Sequence, residues 1–301
     1  MMNALTAAMP GGSKRILGQK RSWCCQDSEQ DAHLYMTEET INGRVALVTG
    51  GSSGIGLAFS RQLAAENYAL ALVGNRAGEL EDAAEGLRRE FKVPVRALCL
   101  DLTETDAAAK VLAWCDSLGI VPDVLVNDAG IFFMQYLEPS LLGKVRTMMH
   151  LHMDAVTELC ILLGDRMKER GHGRILNISS MTARIPAPGI AIYSATKAYL
   201  KSFGQSLSYE YRPFGVTVTT LCPAAVDTDL YPLGDGLRKV LRRVGILRSP
   251  EWMARRGLKA MNRGRRCVSP GLTNHIVPLL VASLPSRLID RLGLKWIRKS
   301  P

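Results

Sequence analysis

The chain has 301 residues, of which 47% are hydrophobic and 22% are charged, and its formal net charge is +10. This composition is typical of a globular protein and excludes extensive disorder, collagen-like repeats and a disulfide-dense scaffold. The seven cysteines form no CxxC pair and lie mostly among apolar residues, which favours free thiols in a reducing, cytoplasmic compartment. No run of about 18 apolar residues is present, so we expect no membrane-spanning helix.

The positive charge is concentrated in one segment. Eleven Lys or Arg residues lie between Leu237 and Arg266, where Glu251 is the only acid, so this segment alone carries +10. Such a segment attracts anionic partners, whether phosphates, acidic lipids or acyl carriers. The alternative is a solvated helix face that has no partner.

Along the chain, residues 1–40 lack periodicity and predict a disordered tail, and residues 41–271 then alternate short apolar runs with helical patterns. The strand candidates are Val45–Val48, Tyr68–Val73, Val95–Leu100, Val124–Val126, Arg174–Ile178 and Val216–Leu221, with Val268 in a last strand. The helix candidates are a first helix that ends near Glu66, then Gly78–Glu90, Asp106–Leu118, Gly143–Glu169 and Ala191–Tyr211. This alternation predicts a single α/β domain built on a Rossmann-type, doubly wound parallel sheet.

A glycine-rich loop, Thr49–Gly56, connects the first strand to the first helix. Its glycines allow a sharp turn and a close approach to a pyrophosphate at the helix N-terminus. In this setting the loop predicts a nucleotide site. The residues assigned to that site are Gly50, Ser52, Ser53, Gly54, Ile55 and Gly56.

The end of the second predicted strand indicates which nucleotide binds. NAD-specific sites place an acid there for the ribose 2′-OH, whereas this chain has Gly74, Asn75 and Arg76, with no acid before Glu79. A guanidinium can hold a 2′-phosphate through two parallel hydrogen bonds. We therefore expect NADP(H) rather than NAD(H), bound by Asn75 and Arg76. The alternative is that Arg76 points into solvent.

A Tyr–Lys pair supplies candidate chemistry. Tyr193 and Lys197 lie four residues apart in a predicted helix and therefore share a face. A phenol ordinarily ionises near pH ~10, and a neighbouring ammonium favours the phenolate, so Tyr193 is a candidate acid/base. Ser180, just after a predicted strand, would bind the substrate oxygen. We predict no metal site.

Taken together and in this order, these motifs resemble the short-chain dehydrogenase/reductase family from about Gly43 to Gly271. The matching pieces are the TGxxxGxG loop, Asp101, Asn127–Gly130, Ser180, Tyr193 with Lys197, and the segment from Pro223 to Thr228. The resemblance implies that Asp101 contacts the adenine and that Lys197 binds the nicotinamide ribose. The further cofactor contacts it implies are Leu102, Asn127, Ala129, Gly130, Tyr193, Pro223, Val226 and Thr228.

The sequence departs from the family pattern at three places. Asp128 replaces the second Asn of Asn-Asn-Ala-Gly, and Ala224 replaces the Gly of Pro-Gly. The family's fourth catalytic residue, an Asn, falls at His152. That Asn chiefly lends its backbone carbonyl in a locally distorted helix, so we expect activity to survive the change. The His152 side chain is then either a further proton relay or a group that fills space near Lys197.

The C-terminal third indicates the substrate and the surroundings. Residues 229–265 fall where the family keeps a variable substrate lid, and residues 272–301 form an amphipathic extension. Such an extension suits a membrane surface, a partner subunit or the protein's own core. Leu-rich, basic C-termini resemble the branch of long-chain 3-oxoacyl reductases and hydroxysteroid dehydrogenases, which implies a lipophilic ketone or secondary alcohol as substrate.

We therefore expect an NADP(H)-dependent oxidoreductase in which Tyr193 transfers the proton, Ser180 orients the oxygen and Lys197 tunes Tyr193. The rival hypothesis is a non-catalytic, nucleotide-sensing protein of the same fold. Nucleic-acid binding is not expected, because no recognition motif accompanies the basic segment. Family members commonly pair through the helices predicted at 143–169 and 191–211, which implies a homodimer or homotetramer.

Overall fold

A computed structural model describes residues 43–185, 187–228, 236, 238–239, 243, 247–285 and 287–288. Predictions for the tail at 1–40 and for residues 289–301 lie outside these residues, as does most of 229–246. The described strands form one parallel sheet in the order β3-β2-β1-β4-β5-β6-β7. Their bounds are β1 Val45–Thr49, β2 Ala69–Gly74, β3 Val95–Cys99, β4 Val124–Asn127, β5 Gly173–Ile178, β6 Val216–Leu221 and β7 Cys267–Val268.

Helices cover both faces of the sheet. The helices are α1 Gly54–Ala65, α2 Ala77–Phe91, α3 Ala107–Ser117, α4 Leu142–Met149, α5 Ala155–Arg170, α6 Ala191–Tyr211, α7 Pro250–Asn262 and α8 Thr273–Ser283. One apolar cluster packs α1, α2 and α7 on the sheet, and the other packs α3, α5 and α6. The strand order reverses between β1 and β4, the position where such sheets bind ligands. The predicted doubly wound fold is confirmed.

The long helix predicted at 143–169 is interrupted where α4 meets α5. Residues His150–Asp154 form a π-helical turn, in which the Ala155 amide bonds to the His150 carbonyl, five residues earlier. One extra residue in a turn shifts the side chains that follow, and such turns often occur at functional sites. The prediction of one continuous helix was wrong in this respect, whereas the distortion implied at His152 is present.

Helix α7 lies within the segment that the sequence assigned to a lid. Its inner face buries Met253 and Leu258 against the sheet, and a Cβ on Gly257 would come within 2.8 Å of the Phe59 ring on α1. This part of the segment is therefore a helix in the layer that covers the sheet, and its apolar residues recur at the spacing that gives a helix one buried face. Its outer face exposes Arg255, Arg256 and Lys259.

Helix α8 begins the C-terminal extension and is anchored at its first turn. The buried Asn274 amide donates to the Cys222 carbonyl at 3.1 Å and to the Pro270 carbonyl at 2.6 Å. Further along, apolar side chains are exposed at Leu272, Ile276, Leu279 and Leu280. None of the described helices has both the length and the apolarity needed to cross a bilayer.

Candidate active site

A cleft of about 600 Å³ opens at the carboxyl ends of β1, β4, β5 and β6. It lies where the strand order reverses, so the fold brings together loops that are distant in sequence. The predicted site residues that line it are Gly50, Ser53, Gly54, Ile55, Arg76, Ala129, Gly130, His152, Ser180, Tyr193, Lys197, Pro223, Val226 and Thr228.

The remaining predicted residues lie outside the cleft lining, and several support it. Asn127 donates to Asn177 at 2.8 Å and so joins β4 to β5. The Asp101 carboxylate accepts the amide and the hydroxyl of Thr103, both at 2.9 Å. The other members of this set are Ser52, which is half-buried, Gly56, which is buried, Asn75, which is exposed, and Leu102, which is buried in the core.

The glycine loop forms the floor of the cleft. A Cβ on Gly56 would lie 2.2 Å from the Gly50 carbonyl oxygen, and one on Gly50 would lie 3.0 Å from the Ala129 Cα. Gly50 also has a φ of +67°, which side chains rarely adopt. The backbone is therefore compact enough for a diphosphate to approach the N-terminus of α1, where amide groups carry partial positive charge. These residues fit a dinucleotide.

Tyr193 and Ser180 lie at the inner end of the cleft. The Tyr193 side chain is buried on the first turn of α6, and its ring packs edge-to-face against Phe132 with 4.9 Å between centroids. Ser180 follows β5, and its hydroxyl oxygen accepts the Thr182 amide at 3.1 Å. That bond leaves the Ser180 hydroxyl proton free to be donated to a substrate oxygen.

Lys197 lies one helical turn after Tyr193, and its Nζ is 5.7 Å from the Tyr193 ring centroid. The ammonium donates to the Ile178 carbonyl at 3.0 Å, which fixes its position. Burial lowers the pKa of Lys197 to about 8, although the Asp128 carboxylate opposes this shift. Lys197 is therefore still mostly charged at neutral pH, and its charge favours the Tyr193 phenolate.

His152 is held at both ring nitrogens. Its Nε2 accepts the Ile131 amide at 3.1 Å, so in the neutral ring the proton is on Nδ1, which lies 3.0 Å from the Thr196 hydroxyl. Thr196 in turn donates to the Tyr193 carbonyl at 2.9 Å. Burial, together with the charge of Lys197, keeps the pKa of His152 well below its ordinary value. The ring is neutral and connects the loop after β4 to α6.

Asp128 also lines the cleft. From the sequence it is interpreted as a mild replacement of the second Asn in the family's Asn-Asn-Ala-Gly motif. Its carboxylate accepts the Gly56 amide in the glycine loop. Burial raises the pKa of Asp128 to about 7, although Lys197 and the Gly56 amide oppose that shift. Asp128 and Lys197 therefore lie in one cleft, and burial shifts the pKa of each group towards neutral pH.

Arg76 is held by an acidic neighbour at the outer end of the cleft. It precedes α2, and its Nη1 lies 2.5 Å from the Glu79 carboxylate, one helical turn further on. Both side chains are exposed and both residues line the cleft. From the sequence, Glu79 is noted only as an acid too far along the chain to bind the ribose. In the structure it forms an ion pair with Arg76.

Sequence reasoning missed several supporting residues. Phe132 packs on Tyr193, Thr196 bonds to His152, and the Ser179 hydroxyl donates to the Lys197 carbonyl at 2.6 Å. The signal for Thr196 was its position three residues after Tyr193, which brings its hydroxyl to that backbone carbonyl. In the part of the chain described here, no three potential metal ligands cluster.

The sequence of this chain is similar to those of known proteins. A family model described as short chain dehydrogenase matches residues 44–232. The very-long-chain 3-oxoacyl-CoA reductase of Bos taurus is 31% identical over 258 residues, covering 84% of this chain and 79% of that protein. The 17-beta-hydroxysteroid dehydrogenase type 3 of Danio rerio is 30% identical over 194 residues, covering 63% of this chain and 62% of that protein.

A solved structure shows the same similarity. The short-chain dehydrogenase from Sphingobium yanoikuyae in complex with NADPH has a TM-score of 0.68 and 26% identity, covering 86% of this chain and 97% of that one. This chain belongs to the short-chain dehydrogenase/reductase family. It is accordingly an oxidoreductase that acts on CH–OH donors. The family predicted from the motifs is confirmed.

Proposed function

We propose that this protein is an NADP(H)-dependent reductase and dehydrogenase for a lipophilic ketone and its secondary alcohol, with Tyr193 as acid/base. The observation that carries the proposal is the convergence of Ser180, Tyr193 and Lys197 at the inner end of the dinucleotide cleft. Each of these groups has a neighbour that holds it, which matches the preorganisation that catalysis requires.

The residues divide the reaction between them. The bound cofactor supplies or accepts the hydride at nicotinamide C4. Ser180 donates a hydrogen bond that holds the substrate oxygen, and Tyr193 Oη gives its proton to that oxygen as the carbonyl becomes an alcohol. Lys197 stabilises the phenolate that remains, and the reverse reaction returns the proton to Tyr193.

The preference for NADP(H) rests on Arg76. Its guanidinium lies in the cleft lining at the end of β2, where the adenine ribose of a dinucleotide binds in this type of sheet. The Glu79 contact holds the side chain beside the first turn of α2 and uses one end of the guanidinium. The 2′-phosphate would bind the other end. The NADPH complex of the Sphingobium relative supports the same cofactor.

The proposal of a lipophilic substrate rests on the apolar residues in the cleft walls and on the names of the relatives. Ile131, Ile178 and Ala224 line the cleft, and Phe132 packs on Tyr193 beside them. The names of the two curated relatives describe 3-oxoacyl-CoA reduction and hydroxysteroid dehydrogenation. We therefore propose a 3-oxoacyl thioester or a steroid-like ketone as the substrate class.

His152 acts as a positioning residue in this proposal. Both of its ring nitrogens are engaged, and its lowered pKa keeps it neutral, so the side chain is poorly suited to relay protons. The backbone of the π-helical turn remains for the role that the resemblance gives to the Asn at this position. The rival hypothesis of a nucleotide sensor predicts NADPH binding without turnover.

We further propose that the protein is cytoplasmic, that it contacts a membrane surface, and that it forms a homo-oligomer. The exposed apolar side chains of α8 support membrane contact, and exposed Ile161 on α5 supports pairing through that helix. The fraction of protein that sediments with phosphatidylglycerol vesicles should be lower for the double variant Leu279→Ser/Leu280→Ser than for the wild type. Analytical ultracentrifugation should give a dimer or a tetramer. An equal sedimenting fraction for the variant and the wild type would contradict membrane contact. A monomer in ultracentrifugation would contradict the homo-oligomer.

The proposed function is tested by following nicotinamide absorbance with a panel of 3-oxoacyl thioesters, steroid ketones and their alcohols. Each compound is assayed with both NADPH and NADH. Turnover with NADPH on lipophilic ketones is expected. Binding of NADPH without turnover on any panel member would favour the sensor, and preference for NADH would overturn the role of Arg76.

A further inference from the structure

Two cysteines lie side by side at the edge of the sheet, next to the cleft. The Sγ atoms of Cys222 and Cys267 are 3.9 Å apart, although the residues are separated by 45 positions. Cys267 lies in β7, and Cys222 directly follows β6 and donates its amide to the Val268 carbonyl at 2.8 Å. The strand register places both side chains on one face of the sheet.

The environments of the two thiols differ. Cys222 is fully buried, whereas Cys267 is partly exposed. A hydrogen bond from the Cys222 thiol lowers the pKa of Cys267 to about 7, and the charges of Lys201 and Arg184 act in the same direction. That hydrogen bond and burial raise the pKa of Cys222. The pair thus places a partly exposed thiol of lowered pKa 3.9 Å from a buried thiol of raised pKa, which suits thiol oxidation followed by disulfide closure.

We propose that Cys222 and Cys267 form an oxidisable dithiol whose disulfide alters the adjoining dinucleotide site. With hydrogen peroxide as the oxidant, the Cys267 thiolate attacks one oxygen, the O–O bond breaks, and a sulfenic acid and hydroxide form. The Cys222 sulfur then attacks the Cys267 sulfur, and the S–O bond breaks. The second hydroxide leaves with the Cys222 proton as water. The first hydroxide takes up the proton that the Cys267 thiol released on ionisation, so two thiols are oxidised to one disulfide and one peroxide is reduced to two waters.

Closing the bridge requires a local movement. The sulfurs must approach from 3.9 Å to the length of a disulfide bond, about 2.05 Å, and the two residues are offset along the strand ladder. The backbone must therefore be drawn together. Strand β7 has two residues and lies at the edge of the sheet, and Cys222 lies just beyond the last residue of β6, so both cysteines move as the bridge closes. A bridge strained in this way is readily reduced, which makes the modification reversible.

The movement reaches the cleft through Cys222. Its neighbour Pro223 lines the cleft and accepts the Met181 amide at 2.7 Å, beside Ser180. The Cys222 carbonyl also accepts the Asn274 amide that anchors α8. A shift of Cys222 therefore displaces Pro223 and the loop to Thr228, which line the dinucleotide cleft. We expect the disulfide to weaken NADPH binding several-fold.

The test uses the full chain, treated with hydrogen peroxide, alkylated and digested for mass spectrometry. The expected product is a Cys222–Cys267 peptide pair that is two hydrogens lighter than the separate thiol peptides and that dithiothreitol cleaves. NADPH affinity, measured by fluorescence, should fall with oxidation and recover with dithiothreitol. Cys267→Ser should abolish both effects. Cys99→Ser, which changes a half-buried thiol at the opposite edge of the sheet, should leave both unchanged.

Two outcomes would overturn the inference. One is that Cys267 is oxidised without any link to Cys222. The other is that the link forms while NADPH affinity stays constant, which would remove the connection to the cleft. The affinity measurement rests on the proposed cofactor, whereas the mass measurement does not. Failure of untreated protein to bind NADPH would therefore count against the proposed function, and the peptide mass would still decide whether the dithiol closes.

Discussion

Replacing Asp128 with Asn should stabilise the cofactor-free protein, and the gain should depend on pH. Burial raises the pKa of this carboxyl from 3.8 to about 7, so folding disfavours the charged form. Below pH ~4 the group is protonated in both the folded and the unfolded state and contributes no penalty. Between these values the penalty grows with pH, and above about pH 7 it is constant.

The size of the effect follows from the two pKa values. A pKa difference from 3.8 to about 7 corresponds to about 4 kcal/mol when it is fully expressed. Asp128 keeps partial contact with solvent at the cleft, so we expect about half of that, roughly 2 kcal/mol. Asn can still accept the Gly56 amide through its side-chain oxygen, so the glycine loop keeps its hydrogen bond.

The assay is urea denaturation of Asp128→Asn and the wild type at pH 4.5 and pH 7.5. The difference in the free energy of unfolding should be small at pH 4.5 and roughly 2 kcal/mol in favour of the variant at pH 7.5. Asp82→Asn, which removes an exposed acid on α2, controls for the change in net charge. An equal difference at both pH values would refute the reasoning.

Three further substitutions test other parts of the structure. His152→Asn should keep turnover within about tenfold of the wild type in steady-state kinetics, and complete loss would make the side chain a participant. Arg76→Ala should weaken NADPH binding by about 10- to 100-fold and spare NADH, whereas Arg89→Ala, in the last turn of the helix that Arg76 precedes, should change neither dissociation constant. Leu258→Ala should lower the free energy of unfolding by about 2–5 kcal/mol in urea, and Lys259→Ala by less than about 0.5 kcal/mol. Equal losses in the last pair would contradict the packing of α7.

The fold could be predicted because the patterns that indicate strands and helices involve residues close together in the sequence. Strand β6 and helix α6 have the predicted bounds, Val216–Leu221 and Ala191–Tyr211, since apolar runs and helical periodicity need no distant partner. The residues of helix α7 have an equally clear apolar spacing. This helix was not predicted from the sequence because the segment was considered for its basic residues. The π-helical turn at His152 was implied by resemblance alone.

The contacts that complete the site could not be predicted in the same way. The ring of His152 is held by Ile131 after β4 and by Thr196 on α6, and the register of these elements is set only by tertiary packing. The raised pKa of Asp128 likewise depends on burial between two loops. Cys222 and Cys267 meet because β6 and β7 are neighbours, which no spacing in the sequence indicates.

The most direct test of the account compares Tyr193→Phe with Tyr209→Phe, which alters an exposed tyrosine on the same helix. NADPH-dependent turnover and NADPH affinity are measured for both variants with the best ketone of the panel. The account predicts that Tyr193→Phe lowers turnover by about 100-fold or more while NADPH affinity stays within a few-fold of the wild type, and that Tyr209→Phe behaves as the wild type. Turnover by Tyr193→Phe within a few-fold of the wild type would contradict the role of Tyr193 as acid/base.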